Sequence, residues 1–70
     1  MEQYERLANA IIIQAAKDYR TAQKRLKRNP RNSLAQAEAE SIERFFRSEW
    51  YRCLTEVDGE TLIRKLKEEV

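Results

Sequence analysis

The chain has 70 residues, 41% hydrophobic and 37% charged, with a net charge of +2 and a single glycine, proline and cysteine. This size allows one domain, predicted over residues 1–70, and the few helix breakers favour helices over strands. The lone cysteine excludes an intrachain disulfide. No basic leader or long apolar run argues for secretion or a membrane span, so we expect a cytoplasmic protein.

The first predicted helix spans residues 2–28. Its apolar residues recur every three or four positions, as on one face of an amphipathic helix. They are Ala8, Ile12, Ala15, Tyr19, Ala22 and Leu26. Pro30 ends this helix, because a proline disfavours the helical conformation at the residue before it.

A second helix is predicted over residues 33–57, beginning near Asn32 or Ser33. Its apolar stripe consists of Ala35, Ala39, Ile42, Phe46, Trp50, Cys53 and Val57. Cys53 is interpreted as a small core residue of this stripe. Asp58 then has the position of a cap on a third helix over residues 59–69.

The two stripes predict an all-α fold, a long antiparallel helical hairpin plus a short third C-terminal helix, similar to a three-helix bundle. The expected facing pairs are Leu26–Ala35, Ala22–Ala39, Tyr19–Ile42, Ala15–Phe46, Ile12–Trp50, Ala8–Cys53 and Tyr4–Val57. Large residues face small ones at several levels, as close helix packing requires. The third helix is expected to cover Leu7, Ile11, Phe45 and Leu54 with its own apolar residues.

A basic segment lies at the end of the first helix. Residues 17–31 contain seven bases and one acid, a net charge of +6. Six of these bases form what we call the basic ridge: Lys17, Arg20, Lys24, Lys27, Arg28 and Arg31. The first four repeat at spacings of 3, 4 and 3, nearly opposite the apolar stripe, so we expect them to point outward in one row. Such a ridge is able to bind nucleic-acid phosphates or an acidic protein surface, but it is more often simply a solvated helix face.

A second group of candidate partner-binding residues lies on the predicted outer side of the second helix. Arg44, Arg47 and Tyr51 are spaced by three and four, and arginine beside an exposed aromatic ring is common at interfaces. The same pairing also occurs without function. Ile13 lies in line with the basic ridge, where an exposed isoleucine could mark a partner or homodimer surface.

Catalysis finds little support in the sequence. The chain has no histidine, and it lacks a glycine-rich phosphate loop or a cysteine cluster. We therefore predict no enzymatic activity, no cofactor, no metal site and no small-molecule substrate.

Three segments resemble short uncharacterised helical proteins encoded by prophages and mobile elements of Gram-positive, clostridia-like bacteria. They are AAKDYR at residues 15–20, FFRSEWY at 45–51 and VDGE at 57–60. The resemblance implies a bacterial host cytoplasm as the setting, and it transfers no activity or site residue. Small proteins in that setting often bind a host or phage macromolecule, and some inhibit host defence, including CRISPR nucleases.

The leading functional hypothesis is therefore a non-enzymatic interaction protein that binds a host or phage protein through the outer faces of the hairpin, or pairs as a homodimer. The alternative is a nucleic-acid-binding accessory protein that uses the basic ridge.

Overall fold

A computed structural model describes residues 2–70, with side chains from Arg6 onward. Over these residues the chain forms four α-helices and no strand: α1 (Glu2–Arg28), α2 (Ser33–Phe46), α3 (Glu49–Leu54) and α4 (Gly59–Glu68). The prediction of an all-α fold is confirmed. α1 spans the residues predicted for the first helix, and α4 ends one residue before its predicted end.

α1 and α2 lie side by side and run in opposite directions. The Arg25 guanidinium lies 3.8 Å from the Glu38 carboxylate near the turn, and the Tyr19 ring contacts the Phe46 ring further along, at 6.2 Å between centroids. Between these levels Ala22 of α1 and Ala39 of α2 are buried, and Ala35 is buried nearer the turn. These small side chains let the two backbones approach closely. Asn32 caps α2 by accepting the backbone N–H of Ala35.

The predicted second helix over residues 33–57 is wrong, because the chain breaks after Phe46. Ser48 adopts an extended conformation and its hydroxyl accepts the backbone N–H of Tyr51 at 3.2 Å, which starts the separate helix α3. The same hydroxyl donates to the backbone oxygen of Phe45 at 2.6 Å. One serine thus satisfies groups at the end of α2 and at the start of α3.

The break changes which side chains of the predicted stripe are buried. Trp50 is 59% exposed and Val57 55%, and Cys53 is exposed as well, so their predicted core positions are wrong. Tyr51 occupies the core instead, at 1% exposure. The predicted pairs of α1 residues with Trp50 and Cys53 fail for the same reason, and the pair of Tyr4 with Val57 lies outside the described side chains.

α4 packs across one side of the α1–α2 pair. Asp58 caps it, as predicted, by accepting the backbone N–H of Thr61 at 3.1 Å. Ile63 and Leu66 are buried against the core that also contains Tyr19. A side chain at Gly59 would overlap the backbone of Phe46, so glycine permits α4 to begin against the end of α2.

Ion pairs border the contact of α4 with the other helices. Arg20 donates to Glu69 at 2.6 Å, and the Lys27 ammonium donates to the backbone oxygen of Val70 at 2.8 Å. On the α2 side, Lys67 lies 3.9 Å from the Glu43 carboxylate. None of the described helices combines the length and apolar character needed to cross a membrane.

Candidate protein-binding groove

The side of the α1–α2 pair that faces away from α4 carries a shallow apolar groove. Its lining residues are Ala10, Ile11, Gln14, Ala15, Asp18, Ser41, Ile42, Phe45 and Trp50. We call this set the open groove. Helical geometry explains its position, since at about 100° per residue Ile11 and Asp18 lie on nearly the opposite side of α1 from Arg20 and Lys27, which contact α4. α4 therefore leaves this side uncovered.

Trp50 is the largest exposed apolar side chain of the groove. Its ring meets Phe45 edge-on at 5.4 Å between centroids, and Phe45 in turn meets the buried Tyr51 ring edge-on at 5.8 Å. Phe45 also contacts Phe46 at 5.5 Å. Trp50 is thus supported by a cluster of aromatic rings that reaches into the core. This support restricts the Trp50 side chain in the free protein, so a partner has less side-chain conformational entropy to remove on binding.

The groove becomes polar at the end nearest the α1–α2 turn. The Asp18 carboxylate accepts a hydrogen bond from the Gln14 side chain at 3.0 Å. Next to it lies the pair of Arg25 and Glu38, both substantially exposed. Two acids and one base give this end a formal charge of −1, whereas the opposite end, around Ile11 and Trp50, is apolar.

The basic ridge lies on the other sides of α1 and is not a single outward row. Arg20 and Lys27 bind Glu69 and Val70, which follow α4, so these two do not point freely into solvent as an unpartnered row. The reason is that α4 packs on their side of α1. The remaining four are exposed and form no ion pair in the described part of the chain: Lys17, Lys24, Arg28 and Arg31. Whether they bind a partner stays a prediction.

The second predicted group does not form one surface. Tyr51 is buried, so its predicted exposed interface position is wrong, and the break at Ser48 is the cause. Arg47 pairs with Glu60 of α4 and with Glu43, at 3.4 Å from the latter. Arg44 is exposed, as predicted.

The prediction that the third helix covers Leu7, Ile11 and Phe45 is also wrong. Leu7 is 59% exposed, and Ile11 and Phe45 line the open groove, because α4 packs on the opposite side of the helix pair. Ile13 is 53% exposed, as predicted, and lies on α1 about 200° from Ile11, outside the groove.

Two buried tyrosines differ in how their hydroxyls are satisfied. The Tyr19 hydroxyl donates to the Glu43 carboxylate at 2.7 Å, and burial together with this carboxylate raises the pKa of Tyr19. The Tyr51 hydroxyl is buried and has no hydrogen-bond partner among the side chains and backbone that the structure describes. Burial, and secondarily the charge of Asp58, raises the pKa of Tyr51. Neither hydroxyl opens onto the open groove, whose lining contains no tyrosine.

The described residues contain no group of three or more metal-ligating side chains. The open groove was not predicted as a site, although the sequence placed Ile11 and Phe45 on the flanks of the stripes. Ser48 was not predicted as a helix cap. Because Ser48 ends one helix and begins the next, Trp50 points outward instead of continuing the buried stripe. Comparisons with family models, curated proteins and solved structures found no match to this chain.

Proposed function

We propose that this chain is a non-enzymatic interaction protein that binds another protein through the open groove. The frame is a long α1–α2 hairpin, closed on one side by α4 and open on the other. The observation that carries the proposal is the exposed Trp50 ring, held on Phe45 above a groove that no element of the described chain covers. Tryptophan anchors at the centre of an apolar patch dominate many protein interfaces.

The non-enzymatic part of the proposal rests on the sequence. The chain has no histidine, and its single cysteine has no histidine to activate it. The open groove is lined mainly by apolar side chains, and Asp18 is its one ionisable residue. Such a lining suits the recognition of an apolar protein segment.

The resemblance to proteins of prophages and mobile elements supplies the setting of the proposal. In that setting the proposed partner is a host or phage protein in the bacterial cytoplasm. One proposed effect of the binding is inhibition of a host defence system, such as a CRISPR nuclease. This part of the proposal is supported by the resemblance alone, and no contact in the structure bears on it.

The test is affinity capture from a bacterial host lysate with four forms of the chain: wild type, Ile13→Glu, Ile11→Glu and Trp50→Ala. Wild type and Ile13→Glu should capture the same protein, because Ile13 lies outside the groove. Ile11→Glu places a charge inside the groove and should lose that protein. The Ile13 variant is the matched control, since it carries the same substitution two residues away on the same helix.

A captured protein that Ile11→Glu and Trp50→Ala both retain would contradict the proposal. Each variant is first compared with wild type by circular dichroism, so that loss of the fold is not read as loss of binding.

A nucleic-acid-binding role is the second candidate. It is favoured by four exposed bases that form no ion pair with any described residue: Lys17, Lys24, Arg28 and Arg31. Phosphate binding by these bases should weaken by orders of magnitude between about 50 and 200 mM salt. Lys24→Glu should weaken it several-fold while the fold stays intact, because Lys24 is one of the four bases and lies off the core. No detectable DNA binding at low salt would remove this candidate.

A further inference from the structure

We infer that the open groove takes an amphipathic helix of a partner protein, with a lysine or arginine on that helix at the end that meets Asp18. This inference rests on the proposed function and specifies the chemistry of the partner. It follows from the shape of the groove, from the way α4 occupies the opposite side, and from the charge at the groove's polar end.

The dimensions of the groove suit a short helix. Its α1 wall runs from Ala10 to Asp18, which corresponds to about 12 Å or two helical turns. The other wall is formed by Ser41, Ile42 and Phe45 of α2. A depression between two adjacent helices accepts a row of side chains spaced as i, i+3, i+4 and i+7 on a third helix.

α4 shows that the α1–α2 pair accepts such a helix. It has 10 residues, and it inserts Ile63 and Leu66 between α1 and α2 on the covered side. There α1 presents bases, and the end of α4 meets them with the Glu69 carboxylate and the Val70 backbone oxygen. A partner helix on the open side would meet an acid at a similar level of α1, and so requires the opposite charge.

Asp18 provides the charge that selects this partner. Its carboxylate is exposed and bonds to the uncharged Gln14 side chain, with no lysine or arginine in ion-pair contact in the described chain. The neighbouring Glu38 already has Arg25 as a partner. A base brought by the partner would therefore gain an ion pair with Asp18 that no described residue of this chain forms.

A second copy of the chain fits the groove less well. In a two-fold symmetric dimer the same surface faces itself. Two open grooves would then bring two Asp18 carboxylates into one interface and supply no unpaired base from the groove lining. The charge therefore favours a different protein over a homodimer.

Trp50 permits a direct test, because it is the single tryptophan of the chain and lies in the groove. The probes are two peptides of about 14 residues without tryptophan. Both carry leucines at i, i+3, i+4 and i+7, and they differ only in a lysine or a glutamate one turn beyond the last leucine. Titration of each into the intact chain is followed by the wavelength of Trp50 emission.

The lysine peptide should shift Trp50 emission to shorter wavelength and bind about tenfold more tightly than the glutamate peptide at low salt. Asp18→Asn should reduce that ratio to about threefold or less. Glu68→Gln, which removes an exposed acid on α4, should leave the ratio unchanged.

Four outcomes would overturn the inference. Equal binding of both peptides would refute the charge preference and leave the groove as a docking site. If neither peptide binds but the protein is still captured through the groove, only the helical nature of the partner is refuted. If neither peptide binds and no protein is captured through the groove, the proposed function is refuted as well. A concentration-dependent shift of Trp50 emission without peptide, together with dimers in sedimentation, would assign the groove to a second copy.

Discussion

The two sides of the α1–α2 pair are formed by the same helices, but α4 covers one side and leaves the other exposed. On the covered side, α4 buries Ile63 and Leu66, and its charged groups pair with those of α1 and α2. On the open side, Trp50 projects into solvent and Asp18 forms no ion pair within the described chain. The contrast separates two tasks, since one side closes the core and the other remains available for contact with another molecule.

The largest expected difference between the two sides is in the stability lost when one apolar side chain on each is truncated. Leu66→Ala on the covered side should lower the free energy of unfolding by about 3 kcal/mol, because Leu66 is 1% exposed. Trp50→Ala on the open side should lower it by less than about 1 kcal/mol, although it removes a larger side chain. Urea unfolding followed by circular dichroism measures both, and equal losses would place Trp50 in the core.

Gly59→Ala tests the close approach of α4 to α2. Helix propensity alone predicts that alanine stabilises α4. The added Cβ would instead overlap the backbone oxygen of Phe46, so we expect a loss of about 2 kcal/mol in the free energy of unfolding. The sign of the change, from the same urea experiment, decides between the two effects.

The matched control for Gly59→Ala is Ala37→Leu, which adds apolar bulk at an exposed position of α2 and should change stability little. A stabilised Gly59→Ala variant would mean that α4 lies further from α2 than described.

The two buried tyrosines give a smaller effect of opposite sign. Tyr19→Phe removes the hydroxyl that donates to Glu43 and should destabilise the fold by about 1 kcal/mol. Tyr51→Phe removes a buried hydroxyl that has no hydrogen-bond partner in the described part of the chain. It should therefore leave stability unchanged or raise it by up to about 1 kcal/mol. Thermal unfolding of the two variants side by side measures the difference, and a destabilised Tyr51→Phe would reveal a hydrogen bond at that hydroxyl.

The helices and most of the core follow from the periodicity of the sequence. The stripe of α1 predicts the buried Tyr19 and Ala22, and the first part of the second stripe predicts Ala35, Ala39 and Phe46. The prediction fails after Phe46, because residues 42, 46, 50 and 53 remain spaced like one helix. Periodicity does not register a break that moves the buried position by one residue, from Trp50 to Tyr51.

The open groove was harder to predict for a related reason. Ile11 and Phe45 are apolar and flank the stripes, so the sequence assigns them to the core as readily as to a binding surface. Which of the two they join depends on the side to which α4 packs. That side is decided by tertiary contacts, such as the approach of Gly59 to Phe46 and the pairing of Arg20 with Glu69.

The smallest effect expected is a pH dependence at the turn into α4, on the covered side. The Thr61 hydroxyl and backbone N–H donate to the Asp58 carboxylate and lower its pKa below the ordinary value of 3.8. The ionised carboxylate therefore stabilises the fold above that value, and its contribution is lost as the pH falls through the lowered pKa. Asp58→Asn retains a side chain able to cap α4 but carries no charge, so its stability should fall less steeply with acid. Thr61→Ala should flatten the same slope by removing the hydroxyl donor, and an unchanged slope in either variant would show that the acid sensitivity arises elsewhere.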